Sequence, residues 1–187
     1  MIIGPDEFMA VAFANLDLAI EVPAVSCARL NKEDKLGFPA EPYRPGVMVP
    51  GMPWHFNITT FGAPARGEIF YARLERAAST RVIVLDDIGG HPKSKISWNT
   101  FNNRAPLPHY VLATREEHGK ANCQIGYFIE SSDPAQARDL IKAFVKAGLT
   151  DPGMRSANRW ARLPGSTKHG GAYPARLLEW DPPRISS

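Results

Sequence analysis

The run Arg81–Asp87 (RVIVLDD) constrains the fold of this chain more than any other segment. Four consecutive apolar residues precede two aspartates, Asp86 and Asp87. A short β-branched run of this kind is typical of a strand that is covered on both faces. Gly89 and Gly90 follow and end the strand. The length of 187 residues suits one large domain or two closely fused halves.

Helical and strand patterns surround this segment. An apolar stripe with Pro5 in its first turn predicts a helix that reaches Ile20, and a second stripe predicts a helix that begins at Pro134 and stops at Gly148. Strands are predicted over Trp54–Phe61, His109–Ala113, Cys123–Glu130 and Ala175–Trp180. Short links favour antiparallel pairing, so we expect an α+β fold: a mixed, largely antiparallel sheet with flanking helices on one side.

Other segments carry weaker signals. The proline-rich stretch 36–53 predicts an extended connection. Residues 91–108 predict a loop, and the polar, basic stretch 149–171 shows no periodicity. The segment Glu68–Ala78 fits a helix and a strand equally well.

The overall charge and the cysteine content limit the possible function classes. Lys and Arg number 22 against 19 Asp and Glu, a net charge of +3. This mild excess is compatible with a polyanionic partner only if the cations cluster locally. Cys27 and Cys123 are far apart, which argues against a disulfide scaffold and a four-ligand zinc site. The sequence has no signal-peptide pattern and no apolar run of about 20 residues, so we expect a cytoplasmic protein without a membrane span.

Asp86 and Asp87 are the first candidates for chemistry. Side chains alternate along a strand, so both carboxylates converge only if the strand twists or relaxes at its end. Two carboxylates about 4 Å apart would repel by roughly 4 kcal/mol at an effective dielectric constant near 20. A divalent cation such as Mg²⁺ removes this repulsion. An ordinary solvated β-turn is the alternative interpretation.

A second group of candidates lies in the basic stretch. Its members are Asp151, Arg159, Arg162, Lys168 and His169. Planar guanidinium forks and an ammonium group can surround a polyphosphate. Pairing of the arginines with surface acids is the alternative.

Isolated polar and aromatic residues complete the candidates. Gln124 interrupts an apolar strand, which predicts a buried amide that must find partners. The tryptophans Trp54, Trp98 and Trp160 are candidates for stacking on bases or for the core. Local clustering makes four cations candidates for a DNA-binding stripe: Lys93, Lys95, Arg104 and Lys120.

The order of these motifs resembles the archaeo-eukaryotic primase superfamily. The motifs are an apolar strand that ends in DDIG, a strand with ANCQIGY, a helix, then LTD and RWARLPGS. The likeness covers roughly residues 54–181 and is nearest to the primase-polymerase catalytic domains of phages and plasmids. It implies two fused halves around a central cleft, an N-terminal α/β unit and an RNA-recognition-like unit.

The resemblance also assigns roles to residues. It implies that Asp86, Asp87 and Asp151 are catalytic and hold two Mg²⁺ or Mn²⁺ ions. It implies that the nucleotide-binding residues are Gln124, Arg159, Arg162, Lys168 and His169. Gln124 stands where the family usually has a histidine, and the basic motif departs from the family pattern after Gly165, so the choice between Lys168 and His169 stays open.

The activity implied is that of a DNA primase and DNA polymerase, a template-dependent nucleotidyltransferase. Its partners would be a DNA template-primer, nucleoside triphosphates and a fused or separate replicative helicase, in the host cytoplasm if a phage encodes it. Residues 1–187 would form a single catalytic domain, whole or as a fragment of a longer primase-helicase. Two alternatives stay open: a metal-dependent nuclease, for which His91 or Lys93 is the candidate base, and a non-catalytic module that binds a replication origin or single-stranded DNA.

Overall fold

A computed structural model describes residues 3–30, 36–49, 51–168 and 173–183. Within these ranges the α-helices are α1 (Pro5–Ala12), α2 (Trp98–Asn102) and α3 (Pro134–Lys146), and 3₁₀ turns lie at Leu74–Arg76 and Pro152–Met154. The strands are β1 (Glu21–Cys27), β2 (Arg29–Leu30), β3 (Leu36–Gly37), β4 (Glu41–Pro42), β5 (Trp54–Gly62), β6 (Ala77–Gly89), β7 (Tyr110–Glu117), β8 (Lys120–Ser132), β9 (Trp160–Arg162) and β10 (Arg176–Trp180).

One continuous sheet dominates the molecule. Its strand order is β10-β7-β8-β6-β5-β1-β4, with β9 paired to β5 and a small separate β2-β3 ribbon. The strand pairs are antiparallel, which confirms the α+β fold with a largely antiparallel sheet. The predicted strand at 81–87 is the middle of β6, and its residues Val82, Val84 and Leu85 are fully buried. Since the sheet is continuous, the two expected halves share it.

The helices α1 and α3 lie on opposite faces of the sheet. Phe8 of α1 packs against Phe128, with ring centroids 5.7 Å apart. Phe144 of α3 stacks on Tyr127 at 6.2 Å. Tyr127 and Phe128 are neighbours in β8, and neighbouring side chains of a strand point to opposite faces. The prediction of helices on one side was therefore wrong, because the continuous apolar run of β6 needs cover on both faces.

Helix ends follow local capping chemistry. Helix α1 ends at Ala12 rather than at Ile20, because the chain turns away through Asn15, whose φ is 57°. Helix α3 begins as predicted, with Asp133 accepting hydrogen bonds from the first turn, and Gly148 follows its end with φ of 70°. No helix in the described ranges has the length and apolarity that a bilayer span requires.

Short elements occupy segments that showed no regular pattern. Strand β4 lies in the stretch 36–53, helix α2 lies in the predicted loop 91–108, and strand β9 lies in the stretch 149–171. The ambiguous segment Glu68–Ala78 contains a 3₁₀ turn and then the start of β6 at Ala77. Strand β1 was not predicted, and Pro23 interrupts its sequence.

Candidate active site

A β-bulge in β6 brings Asp86 and Asp87 to the same cavity. The pairing with β8 shifts register between Leu85 and Ile88, where the two aspartates lie opposite the single residue Gln124. The backbone of Asp87, within this bulge, adopts a left-handed conformation with φ of 64°. The bulge breaks the alternation of side chains, so both carboxylates line one cavity of about 410 Å³.

The carboxylate of Asp86 is held inside the fold. Its Oδ1 accepts a hydrogen bond from the backbone N–H of Asp87 at 2.9 Å, and its own N–H donates to Thr150 Oγ1 at 2.9 Å. Burial raises the pKa of Asp86 to about 6, and the charge of Asp87 adds to this effect. The side chain of Gln124 and the charge of Arg162 act in the opposite direction. Asp86 therefore changes its charge close to neutral pH.

Asp151 lies beside this pair and shares a cation with Asp87. The ammonium of Lys95 lies 3.1 Å from Asp87 Oδ2 and also contacts Asp151 Oδ2. Contact with Lys95 is the main reason that the pKa of Asp151 is lowered, and the N–H of Gly153 contributes by donating to Oδ1. The backbone N–H of Asp151 donates to the carbonyl oxygen of Asp86 at 3.4 Å.

The carboxylate oxygens of Asp87 and Asp151 provide part of the coordination that a divalent cation requires. In the described ranges, no three His, Cys, Asp or Glu side chains converge as a metal-binding group. Asp87 and Asp151 nevertheless bracket one positive charge, the Lys95 ammonium, and carboxylate oxygens are the ligands that Mg²⁺ and Mn²⁺ prefer. The donor chemistry thus fits a cation between Asp87 and Asp151, and Asp86 is the adjacent residue of β6.

Three cations line the same cavity, and a fourth, Lys168, lies near them. Lys93, Arg115 and Arg162 line it. The pKa of Lys168 is lowered chiefly by the charge of Arg115, then by burial and by the charges of Arg162 and Lys93. Four positive charges this close repel one another, so the cluster favours an anionic ligand. Arg115 was not predicted from the sequence, because only the long β7-β8 hairpin brings it to the cavity.

Arg162 is fixed by two hydrogen bonds. Its Nη1 donates to the carbonyl oxygen of Thr114 at 2.7 Å, and its backbone N–H donates to Gln124 Oε1 at 3.0 Å. Burial lowers its pKa, and the charge of Asp86 opposes this effect. The predicted buried amide of Gln124 therefore has a partner, the backbone N–H of Arg162.

Aromatic residues form a third side of the cavity. Phe38 and Trp160 stack almost parallel, 6.1 Å apart and inclined by 8°. The ring of His55 meets Phe38 edge-on at 5.0 Å. Burial lowers the pKa of His55 to about 4, so the ring is neutral at physiological pH. This wall offers a flat, uncharged surface.

The other two candidate tryptophans lie away from the cavity. Trp54 is buried, and its Nε1 donates to the carbonyl oxygen of Val49 at 3.1 Å. Trp98 packs against Phe101. Of the three tryptophans considered, Trp160 is the one that lines the cavity.

Several residues that were predicted to bind nucleotide or DNA do not line the cavity. Arg159 precedes β9 and is not among the residues that line the cavity. Lys95 contacts the acids, Arg104 is exposed after α2, and Lys120 is exposed at the β7-β8 turn. His169 lies outside the described residues. Lys93 is the member of the predicted DNA-binding group that lines the cavity.

His91 supports the loop that follows β6. Its ring is buried, and Nδ1 accepts a hydrogen bond from the backbone N–H of Lys93 at 3.0 Å. Its Nε2 lies 3.3 Å from Glu117 Oε2. With Nδ1 engaged in this way, His91 orients the loop that carries Lys93 and Lys95.

The α+β fold of this chain is shared with a solved primase-polymerase domain. In particular, it is similar to the AEP domain of the cyanophage S-2L primase-polymerase (PrimPol), with a TM-score of 0.63 and 14% sequence identity over 94% of this chain and 90% of that chain. At this identity the similarity shows the shared fold. No protein-family model and no curated protein matches the sequence.

Proposed function

We propose that this chain is a template-dependent nucleotidyltransferase of the primase-polymerase type, which extends or starts a primer with the help of Mg²⁺ or Mn²⁺. One observation carries the proposal: the two aspartates of the β6 bulge and the cations Lys93, Arg115 and Arg162 line the same cavity. Transfer of a nucleotide needs both kinds of group, since carboxylates bind metal ions and cations bind the triphosphate.

The basic side of the cavity would bind the triphosphate. Arg162 is held in place by Thr114 and Gln124, so its guanidinium loses little freedom when it binds a phosphate. Arg115 and Lys168 lie close enough to influence each other electrostatically. In this proposal they share the β- and γ-phosphates with Arg162.

The aromatic side would bind the nucleoside. Phe38 and Trp160 present stacked rings next to the phosphate-binding cations. Stacking on such rings is tolerant of base identity, as a polymerase that follows a template requires. The choice of base would then come from pairing with the template, not from the cavity.

Asp86, Asp87 and Asp151 would hold the metal ions. When bound, the ions would make the primer 3′-hydroxyl more acidic and neutralise charge on the phosphates. The protein contributes orientation, because the Asp87 N–H donates to the carboxylate of Asp86 and holds it. Arg159 and His169 stay predicted nucleotide contacts.

Template DNA would bind outside the cavity through its phosphates. Arg104 and Lys120 are exposed and form no ion pair with an acid among the described residues, so they are the remaining candidates for this role. Contacts of this kind carry no sequence information. A replicative helicase, fused or separate, is the proposed partner that would supply single-stranded template.

Incubation with a labelled primer-template, deoxynucleotides and Mg²⁺ or Mn²⁺ tests the proposal. Extension of the primer supports it. Shortening of the labelled strand would favour a nuclease, although His91, one candidate base, is already bonded through Nδ1. Binding of DNA without any change in strand length would favour a non-catalytic module.

A further inference from the structure

We propose that Lys95 occupies the cation position between Asp87 and Asp151 in the metal-free protein, and that a divalent ion must displace it in order to bind. The ammonium contacts one carboxylate oxygen of each residue. The idea rests on the proposed function in one respect, namely that these carboxylates bind metal.

The main chain holds Lys95 at this position. Its backbone N–H donates to the carbonyl oxygen of Asp87 at 2.9 Å, and the N–H of Ile96 donates to the same oxygen at 3.1 Å. Ile96 also forms a bridge with Ile88 of β6. The loop after β6 therefore folds back on the bulge and delivers the lysine to the carboxylate of Asp87.

The side chain of Lys95 can leave without disturbing the fold. It is 58% exposed, and its flexible four-carbon stem can carry the ammonium into solvent. The ammonium and a divalent ion cannot both contact the same oxygens, because the two cations repel. Lys95 thus neutralises the acids when no metal is present and lowers their apparent affinity for metal.

The test measures the binding of Mn²⁺ alone, and electron paramagnetic resonance detects the ion that stays free. Lys95→Gln removes the competing charge. Lys93→Gln is the matched control, because Lys93 is a cation of the same loop but does not contact Asp151. We expect Lys95→Gln to bind Mn²⁺ roughly tenfold more tightly, a factor that corresponds to about 1.4 kcal/mol. The control should change much less.

A second variant and a stability measurement complete the test. Lys95→Arg keeps a cation at the acids, so its affinity for Mn²⁺ should equal or fall below that of the wild type. Without metal, Lys95→Gln should melt below the wild type, and Mn²⁺ should raise its melting temperature more. Unchanged or weaker Mn²⁺ binding by Lys95→Gln overturns the proposal, as does tighter binding by Lys95→Arg.

Primer extension by the same preparations separates this idea from the proposed function. Extension by the wild type, combined with unchanged Mn²⁺ affinity in Lys95→Gln, rejects the role of Lys95 and leaves the function standing. Tighter Mn²⁺ binding in the absence of any extension supports the role of Lys95 and rejects the polymerase.

Discussion

Gln124 Oε1 accepts a hydrogen bond from the backbone N–H of Arg162 at 3.0 Å, and Gln124 lies opposite the aspartate bulge of β6, where its side chain lowers the pKa of Asp86. Gln124 is a buried amide of β8, the strand that pairs with the acid-carrying strand β6. It lines the same cavity as the two aspartates and Arg162.

Replacement of Gln124 by leucine should destabilise the protein. The change leaves the N–H of Arg162 without its acceptor, and a buried polar group without a partner costs about 1–3 kcal/mol. Urea unfolding measures the loss. Gln136→Leu is the control, because Gln136 is exposed on α3 and its replacement should change the free energy of unfolding by less than about 0.5 kcal/mol. Equal effects of the two substitutions would contradict the structural role of Gln124.

Replacement of Asp86 by asparagine should stabilise the metal-free protein at high pH. Folding raises the pKa of Asp86 from its ordinary value of 3.8 to about 6. The contribution of Asp86 to the stability of the fold is therefore fully present below about pH 3.8, where the acid is protonated. It is lost as the pH rises through about 6. The difference corresponds to a cost of about 3 kcal/mol for the ionised group, which asparagine avoids.

Melting in the presence of a chelator checks this pH dependence. The gain from Asp86→Asn should be larger at about pH 8 than at about pH 4.5, in line with the linkage between proton binding and folding. Asp139→Asn, at an exposed position on α3, should give no gain at high pH. A gain from Asp86→Asn that does not vary with pH would show that burial of its charge is not the cause.

Replacement of Asp87 by asparagine should separate folding from chemistry. The left-handed backbone at this position, with φ of 64°, suits asparagine and disfavours residues such as valine, by roughly 1–2 kcal/mol. Asp87→Asn should therefore keep its melting temperature close to that of the wild type, while Asp87→Val melts lower. Nucleotide incorporation should be lost in both. Full activity of Asp87→Asn would remove Asp87 from the metal site.

Replacement of Arg115 by alanine should weaken nucleotide binding. The loss of a hydrogen bond to a charged group costs about 1.5–3 kcal/mol, which is roughly ten- to a hundredfold in affinity. Fluorescence titration with a deoxynucleoside triphosphate measures it. The control is Arg104→Ala, which should affect DNA binding more than nucleotide binding. The reverse pattern would place Arg115 on the path of the DNA.

The sequence predicted the elements with strong local signals. A continuous apolar run predicted β6. Hydrophobic periodicity and the N-cap residue Asp133 predicted α3. Strand β9 has three residues, too few for a pattern, and it exists because β5 pairs with it. The early end of α1 depends on the turn at Asn15, which interrupts an otherwise continuous apolar stripe.

The site was predictable as a set of residue types but not as an arrangement. Asp86 and Asp87 stood out because two acids end an apolar strand, yet the bulge that brings both to one cavity comes from a register shift against β8. Lys95 was predicted to contact DNA, and its position between Asp87 and Asp151 depends on a loop that folds back over β6. The contribution of Arg115 likewise depends on the pairing of distant segments.

Single-nucleotide incorporation tests the central claim most directly. The primer-template presents each of the four template bases in turn, with one deoxynucleotide at a time and Mn²⁺. We predict that the wild type adds only the complementary nucleotide, and that Asp86→Asn and Asp87→Asn add none. Asp139→Asn, at an exposed position on α3, should retain the activity. Absence of incorporation by the folded wild-type protein, or incorporation that ignores the template base, would contradict the claim that this cavity carries out templated nucleotide transfer.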